Sequence, residues 1–142
     1  MLFLAGFALV NLRGMQDDAA RPPDTAALAA RDWRLEALDG EHVEIDAPPV
    51  LRFQADGSLD GFAGCNTFSG AYALDEERIR IDEIAVTRRA CTDDDGTLEN
   101  AFLAALGDAA TVRRRGPRIA LLDAGGESRL RFVAVEYANG ER

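Results

Sequence analysis

The soft ligands of this sequence, suited to nucleophilic or metal chemistry, are three side chains, namely Cys65, Cys91 and His42. A cysteine nucleophile needs a histidine base within hydrogen-bond reach. Zinc sites are usually marked by closely spaced pairs of ligands, whereas these three residues are scattered along the chain. The sequence therefore predicts no catalytic residue, no metal site and no cofactor. A cysteine hydrolase that uses Cys65 and His42 stays as the weakest alternative.

The two cysteines are also suited to forming a disulfide. In an oxidising compartment Cys65 and Cys91 would pair, and closing a loop of this length would stabilise the fold by about 3.5 kcal/mol on the chain-entropy model. In a reducing compartment both would be buried thiols, and the protein would be cytoplasmic. The residues alone leave both states open.

The first twelve residues, MLFLAGFALVNL, are mostly apolar. A spanning helix needs about 20 apolar residues, so no stable transmembrane span is expected. The run has the length of a signal-peptide core but lacks the positive charge that normally precedes one. We interpret residues 1–14 as a degraded export signal, with an ordinary disordered or core-packing leader as the alternative. The expected location is periplasmic or otherwise extracytoplasmic, with membrane association left open.

The charge of the chain excludes several function classes. Its formal net charge is −9, and all 16 basic residues are arginines. Without lysine there is no Schiff base and no P-loop, and an acidic surface disfavours nucleic acid. The run Asp93–Asp95 invites a calcium loop, but the EF-hand register would place Cys91 and Phe102 at its ends, so an acidic helix start is favoured over an irregular cation site. Arg113–Arg115 is expected to form a charged turn.

Hydrophobic periodicity predicts the elements that must position these residues. Apolar residues alternate with polar ones in a first strand that starts near Trp33, and the helical period appears over 97–109, where Thr97 or an aspartate would cap the helix. The further predicted strands are 50–54, 61–73, 78–82, 84–87, 117–123 and 128–135. This pattern indicates an α+β, mainly β domain: a small antiparallel curved sheet or partly closed barrel with one helix packed against it.

The predicted domain has flanking segments on both sides. Residues 15–31 are polar, Ala-rich and contain two prolines, which is typical of a flexible linker. The folded domain is expected over 32–135, followed by a tail at 136–142. Removal of the first thirty residues is accordingly expected to leave a folded domain.

The stretch GFAGCNTFSGAY contains three glycines inside a predicted strand. Gly61, Gly64 and Gly70 are interpreted as bulges or sharp bends where the sheet turns a corner. Asn66 tolerates the left-handed conformation, and its amide can satisfy a backbone group that a bulge frees. Tyr72 supplies apolar area beside the bend. A structural role is therefore favoured for the Cys-Asn pair.

Several short motifs are distributed along the predicted domain: W-x-L at Trp33–Leu35, the glycine-rich stretch at Gly61–Tyr72, T-x-x-x-C at Thr87–Cys91, and Glu99 and Phe102 in the helix. Together they resemble the META domain family of HslJ-like bacterial heat-shock proteins, over about residues 32–134. The resemblance implies a partly closed barrel, an envelope location that is commonly that of a lipoprotein, and no catalytic residues. No cysteine follows the apolar run of this chain to accept a lipid.

Three functions of different classes follow from these observations. The leading hypothesis is a non-enzymatic, stress-associated envelope domain, a monomer that binds a partner protein, peptide or lipid. The second is an inhibitor-like or structural module that presents hairpin loops, and the third is the cysteine hydrolase. In the first hypothesis the ligand would lie in a cleft between the helix and the curved sheet. The residues expected to line this cleft, unless they are simply core, are Phe53, Phe62, Phe68, Phe102 and Phe132.

Overall fold

A computed structural model describes residues 22–136. The proposed leader at 1–14, the first part of the proposed linker and residues 137–142 lie outside the described residues. The described chain contains two helices and nine strands. In chain order they are α1 (Thr25–Ala29), β1 (Asp32–Leu38), β2 (Glu41–His42), β3 (Val50–Phe53), β4 (Ser58–Phe62), β5 (Thr67–Asp75), β6 (Arg78–Val86), α2 (Asp93–Gly107), β7 (Thr111–Arg115), β8 (Arg118–Leu122) and β9 (Ser128–Ala134).

Eight of the strands form an antiparallel ring, as the alternating pattern predicted. The hydrogen-bonded order runs β1-β3-β4-β5-β6-β7-β8-β9, and β9 pairs back onto β1. The two-residue strand β2 extends the β1 edge as a hairpin. Strands β6 and β7 are joined at one register pair, Arg78 with Thr111, so the ring is weakest there. This sheet, with one main helix, is the predicted α+β, mainly β fold.

Helix α2 contacts strands β6 and β9 of the ring. Its Phe102 ring packs edge-on between Phe68, at 5.7 Å, and Phe132, at 6.3 Å between ring centroids. The helix begins earlier than the period predicted, because Thr92 is the N-cap and accepts a hydrogen bond from the N–H of Asp95. The predicted cap, Thr97 or an aspartate, is therefore wrong, since Asp93–Asp95 lie inside the first turn. Aspartates in the first turn interact favourably with the helix dipole.

The glycine-rich stretch is two strands rather than the single strand predicted over 61–73. Strand β4 ends at Phe62, the chain turns over 63–66, and β5 returns with Thr67 opposite Phe62. Gly70 does lie at a bulge, where β6 slips by a residue and Glu83 takes a φ of 57°. Gly61 lies in a regular ladder, and a Cβ there would clash with the carbonyl oxygen of Val50. Close approach of backbones, rather than a bulge, explains this glycine.

The folded domain begins before residue 32, which corrects the linker boundary. Leu28 of α1 is fully buried in the core, and its carbonyl accepts a hydrogen bond from the indole Nε1 of Trp33 at 2.9 Å. The 25–29 segment is therefore part of the packed unit, although its composition is typical of a linker. The arginines Arg113–Arg115 form most of strand β7 rather than a turn. Neither helix between residues 22 and 136 is long and apolar enough to cross a membrane.

The burial of Leu28 gives the first prediction. Leu28→Ala is expected to lower the free energy of unfolding by about 2–5 kcal/mol, the usual range for a core leucine. Urea titration of the full chain followed by tryptophan fluorescence measures this change. Ala26→Ser, at an exposed position of the same helix, is the control and should change stability by less than about 0.5 kcal/mol. Equal stability of Leu28→Ala and the unchanged chain would show that α1 is dispensable.

Candidate functional site

The turn between β4 and β5 is held by the buried carboxylate of Glu99, on α2. Its Oε1 accepts hydrogen bonds from the backbone N–H of Cys65, at 3.2 Å, and of Asn66, at 2.6 Å. Its Oε2 accepts a third, from Asn66 Nδ2, at 2.8 Å. Only 7% of Glu99 is exposed, so these bonds replace its hydration. The carboxylate thereby anchors the turn to the helix.

The side chain of Asn66 connects this turn to the loop before α2. Its Oδ1 accepts hydrogen bonds from the N–H of Arg89, at 2.8 Å, and from Thr87 Oγ1, at 3.2 Å. Its Nδ2 donates to Glu99 and approaches Cys91 Sγ at 3.5 Å. Asn66 does not adopt the left-handed conformation that its residue type allows; Gly64 does, with φ of 121°. The amide of Asn66 satisfies a loop backbone group, Arg89 N–H, rather than one freed by a bulge.

A disulfide covers the same junction. Cys65 and Cys91 are bonded, with their Cα atoms 5.9 Å apart, so the β4–β5 turn is covalently joined to the loop that leads into α2. Gly64 presents its backbone to Leu98 and Glu99, where an added Cβ would lie 3.5–3.6 Å from helix atoms. The positive φ of Gly64, more than the available space, selects glycine there. The Cys-Asn pair thus joins the turn to the loop before α2 through the disulfide and the hydrogen bonds of the Asn66 amide.

The electrostatics of Glu99 follow from these contacts. Burial raises the pKa of the carboxyl, but the hydrogen bonds from Asn66 and Cys65 favour the charged form, and together they bring the pKa below its usual value. The anion is therefore the form that the turn is built to hold. A charged hydrogen-bond acceptor is also stronger than a neutral one, which suits an anchoring role.

Beside this junction lies a surface depression, which we term the disulfide groove. It consists of two adjoining hollows of about 360 and 580 Å³ that share Ile45 and Asp95. The first is bounded by the disulfide, Phe62 and the 45–47 loop segment. The second lies between the 41–45 segment and the start of α2, where Leu98 and Asp94 face it. Ile45 is 46% exposed, and within residues 22–136 it is the one large apolar side chain that is exposed.

The structure separates the five aromatic residues expected to line an internal cleft. Phe53, Phe68, Phe102 and Phe132 are buried in the core, where they pack on one another or on Tyr72. Phe62 is half-buried on the outside of the ring and lines the disulfide groove. The expected cleft between helix and sheet is therefore wrong, because aromatic side chains occupy that space. The concave surface lies outside the ring.

The remaining predicted residues have structural positions. Trp33 and Tyr72 are core residues, and the Tyr72 hydroxyl donates to the carbonyl of Gln54 at 2.6 Å. His42 faces the second hollow of the groove, whereas Cys65 is oxidised and offers no thiolate. Sequence reasoning missed Ile45. Its signal was an isolated isoleucine between acidic residues in a polar segment, which hydrophobic periodicity does not detect.

Comparison with known proteins identifies the fold family. The family model described as META domain matches residues 26–136. The chain belongs to the META domain family. The matched range begins inside α1, in agreement with the burial of Leu28. Among curated proteins, none matches the chain.

Solved structures share the fold over most of this META domain chain. An NMR structure of a protein from Burkholderia xenovorans is 28% identical, with a TM-score of 0.61, covering 81% of this chain and 92% of that one. A second NMR structure is 25% identical, with a TM-score of 0.64, covering 78% and 94%. The crystal structure of a DUF4847 family protein from Bacteroides vulgatus is 17% identical, with a TM-score of 0.58, covering 78% and 96%, and shares the fold alone.

The lowered pKa of Glu99 gives the second prediction. A group whose pKa is lower in the folded state stabilises the fold above its unfolded pKa, about 4.3, and that contribution is lost as pH falls through the folded pKa. Glu99→Gln is therefore expected to cost about 2 kcal/mol at pH 7 and much less at pH 3. Urea unfolding midpoints at both pH values measure the difference. Glu44→Gln, at an exposed loop position, is the control; a cost for Glu99→Gln that is equal at both pH values would contradict the account.

Proposed function

We propose that this META domain is a non-enzymatic binding module of an oxidising, extracytoplasmic compartment, and that it binds a protein partner through the disulfide groove. The proposal rests on Ile45, a large apolar side chain that is 46% exposed and borders both hollows. A partner's apolar side chain that packs against it removes apolar surface from water, which favours binding. The partner supplies an exposed peptide segment, since a surface groove takes a chain segment more readily than an enclosed ligand.

The charges around the groove define the chemistry of that segment. Five carboxylates border the two hollows, against the single arginine Arg89. The five are Glu41, Glu44, Asp46, Asp94 and Asp95. A partner segment that combines an apolar residue with flanking lysine or arginine is complementary to this pattern. An acidic segment is repelled by the same groups.

The junction formed by the disulfide and Glu99 supports binding by keeping one wall of the groove rigid. The disulfide and the Glu99 hydrogen bonds fix one wall before any partner arrives. A surface that is already ordered loses less conformational entropy on association. The opposite wall, residues 43–49, lies outside the strands, so its side chains can adjust to the partner.

Two further features support the non-enzymatic, extracytoplasmic part of the proposal. With Cys65 oxidised, the nucleophile of the hydrolase alternative is blocked while the disulfide persists. Disulfides persist in oxidising compartments such as the bacterial periplasm. A stress-associated role in the envelope rests on the family resemblance alone, and we propose it on that ground. The aromatic packing between α2 and the sheet favours a peptide over an internally bound lipid.

Fluorescence anisotropy with the full chain tests the proposal. The probe is a labelled peptide of alternating leucine and arginine, compared with one of alternating leucine and glutamate. We expect saturable binding of the arginine peptide and at least tenfold weaker binding by Ile45→Ser, because burying an isoleucine contributes about 1.5–3 kcal/mol. The fold of Ile45→Ser should be intact, since Ile45 is exposed.

A matched pair of charge reversals completes the design. Glu44→Arg, at the groove, should weaken binding of the arginine peptide several-fold. Glu127→Arg makes the same change in charge at an exposed position away from the groove and should leave binding unchanged. Equal binding by Ile45→Ser and the unchanged chain, or equal binding of both peptides, would overturn the proposal.

A further inference from the structure

The loop at 87–92, between strand β6 and helix α2, presents two adjacent arginines to solvent. Arg88, Arg89 and the following Ala90 are all exposed. The ion pairs within residues 22–136 leave both arginines without a carboxylate. Arg89 lines the first hollow of the disulfide groove, whereas Arg88 lines neither hollow. Within the described chain, the charge of Arg88 is therefore explained neither by an ion pair nor by the groove.

Both neighbours of Arg88 are tied to the β4–β5 hairpin. The N–H of Thr87 donates to the carbonyl of Thr67 at 3.0 Å. The N–H of Arg89 donates to Asn66 Oδ1 at 2.8 Å. Two residues further along, the disulfide joins the loop to the same hairpin. The loop is thus exposed and ordered at once, and an ordered loop loses less conformational entropy when a partner binds.

The backbone at Arg88 is extended and has an unused donor. Residues 87–92 continue from strand β6 without forming a helix or a turn. The Thr87 N–H is bonded towards the hairpin, so the alternation of an extended chain directs the N–H of Arg88 away from it. Within residues 22–136 the Arg88 N–H has no hydrogen-bond partner. Such a group is available to pair with an extended strand of another protein.

We propose that the 87–92 loop inhibits arginine-specific serine proteases, with Arg88 as the residue before the scissile bond. In these enzymes an aspartate lies in the pocket that receives this side chain. The unpaired guanidinium of Arg88 is complementary to that aspartate, and the Arg88 N–H is free to pair with the enzyme backbone. Arg89 does not suit this position, because its own N–H is already bonded to Asn66.

The hydrogen bond at Arg89 explains why the loop inhibits rather than serving as an ordinary substrate. The protease serine attacks the carbonyl carbon of Arg88, the Arg88–Arg89 C–N bond breaks, and the enzyme histidine passes the serine proton to the departing nitrogen. In this loop the new amine of Arg89 stays close, because Asn66 Oδ1 and the disulfide hold it. At that high effective concentration the amine attacks the acyl-enzyme and reforms the peptide bond faster than water hydrolyses it.

Trypsin assayed with a chromogenic arginine substrate tests this inference, using the oxidised full chain. We expect competitive inhibition with an inhibition constant below about 1 μM. Chymotrypsin, whose pocket is apolar, should not be inhibited. Arg88→Gln should weaken inhibition of trypsin at least about thirtyfold, because the pocket aspartate is then left unpaired. Arg88→Lys keeps the charge and should retain most of the inhibition.

The control is Arg115→Gln, which removes the same charge from an exposed position of the β7–β8 hairpin. It should inhibit trypsin as the unchanged chain does. Absence of trypsin inhibition by the unchanged chain, or equal inhibition by Arg88→Gln, would overturn the inference. Arg88→Gln should still bind the arginine peptide of the groove assay, so failure here is distinct from failure of the groove proposal.

The fate of the Arg88–Arg89 bond separates an inhibitor from a substrate. Mass spectrometry should show that trypsin cleaves this bond at least about a hundredfold more slowly in the oxidised chain than in a free peptide of residues 84–94, because the chain retains the amine. Cleavage in the chain at the rate of the free peptide would show that the loop is a substrate and would contradict the inference.

Discussion

The buried carboxylate of Glu99 is the interaction on which the arrangement of helix, turn and groove depends. It replaces lost hydration with hydrogen bonds from two consecutive backbone N–H groups and from the Asn66 amide. An anion buried without such partners would be strongly destabilising, so the turn geometry and the helix position must form together. The Cys65–Cys91 disulfide then fixes the same junction covalently. Together these contacts explain why cysteine and asparagine are adjacent in a glycine-rich hairpin.

The ring of strands shows why the attachment of the β4–β5 turn to α2 matters for the fold. Backbone pairing between β6 and β7 is reduced to one register pair, and α2 contacts β6 and, further round the ring, β9. Phe102 of α2 packs between Phe68 of β5 and Phe132 of β9, so the helix fills core space between non-adjacent strands of the ring. Fixing the start of α2 to the β4–β5 turn therefore stabilises the whole barrel-like core. It also shapes the surface groove, since Asp94, Asp95 and Leu98 are on the same helix.

The fold class was predictable because alternation and helical period report burial directly, whereas the two cysteines could be predicted to pair only for an oxidising compartment. Strand β7 was not predictable, since it has a single buried residue, Val112, and the consecutive arginines that follow show no alternation. Helix α1 was missed because one buried leucine in an alanine-rich segment gives no period. The turn at 63–66 was missed because glycine and asparagine suit a bulge and a hairpin equally. The exposure of Ile45 depends on the position of its loop, which hydrophobic periodicity does not report.

Hydrogen exchange of the Cys65 and Asn66 amides, followed by NMR, tests the central claim most directly. Exposed hairpin turns usually exchange through small local fluctuations, whereas groups tied to the core exchange only on larger unfolding. If Glu99 anchors the turn, both amides should exchange at pH 7 as slowly as the core strands and lose that protection together in Glu99→Gln. Fast exchange of both amides in the unchanged chain, at the rate of an exposed loop, would contradict the account.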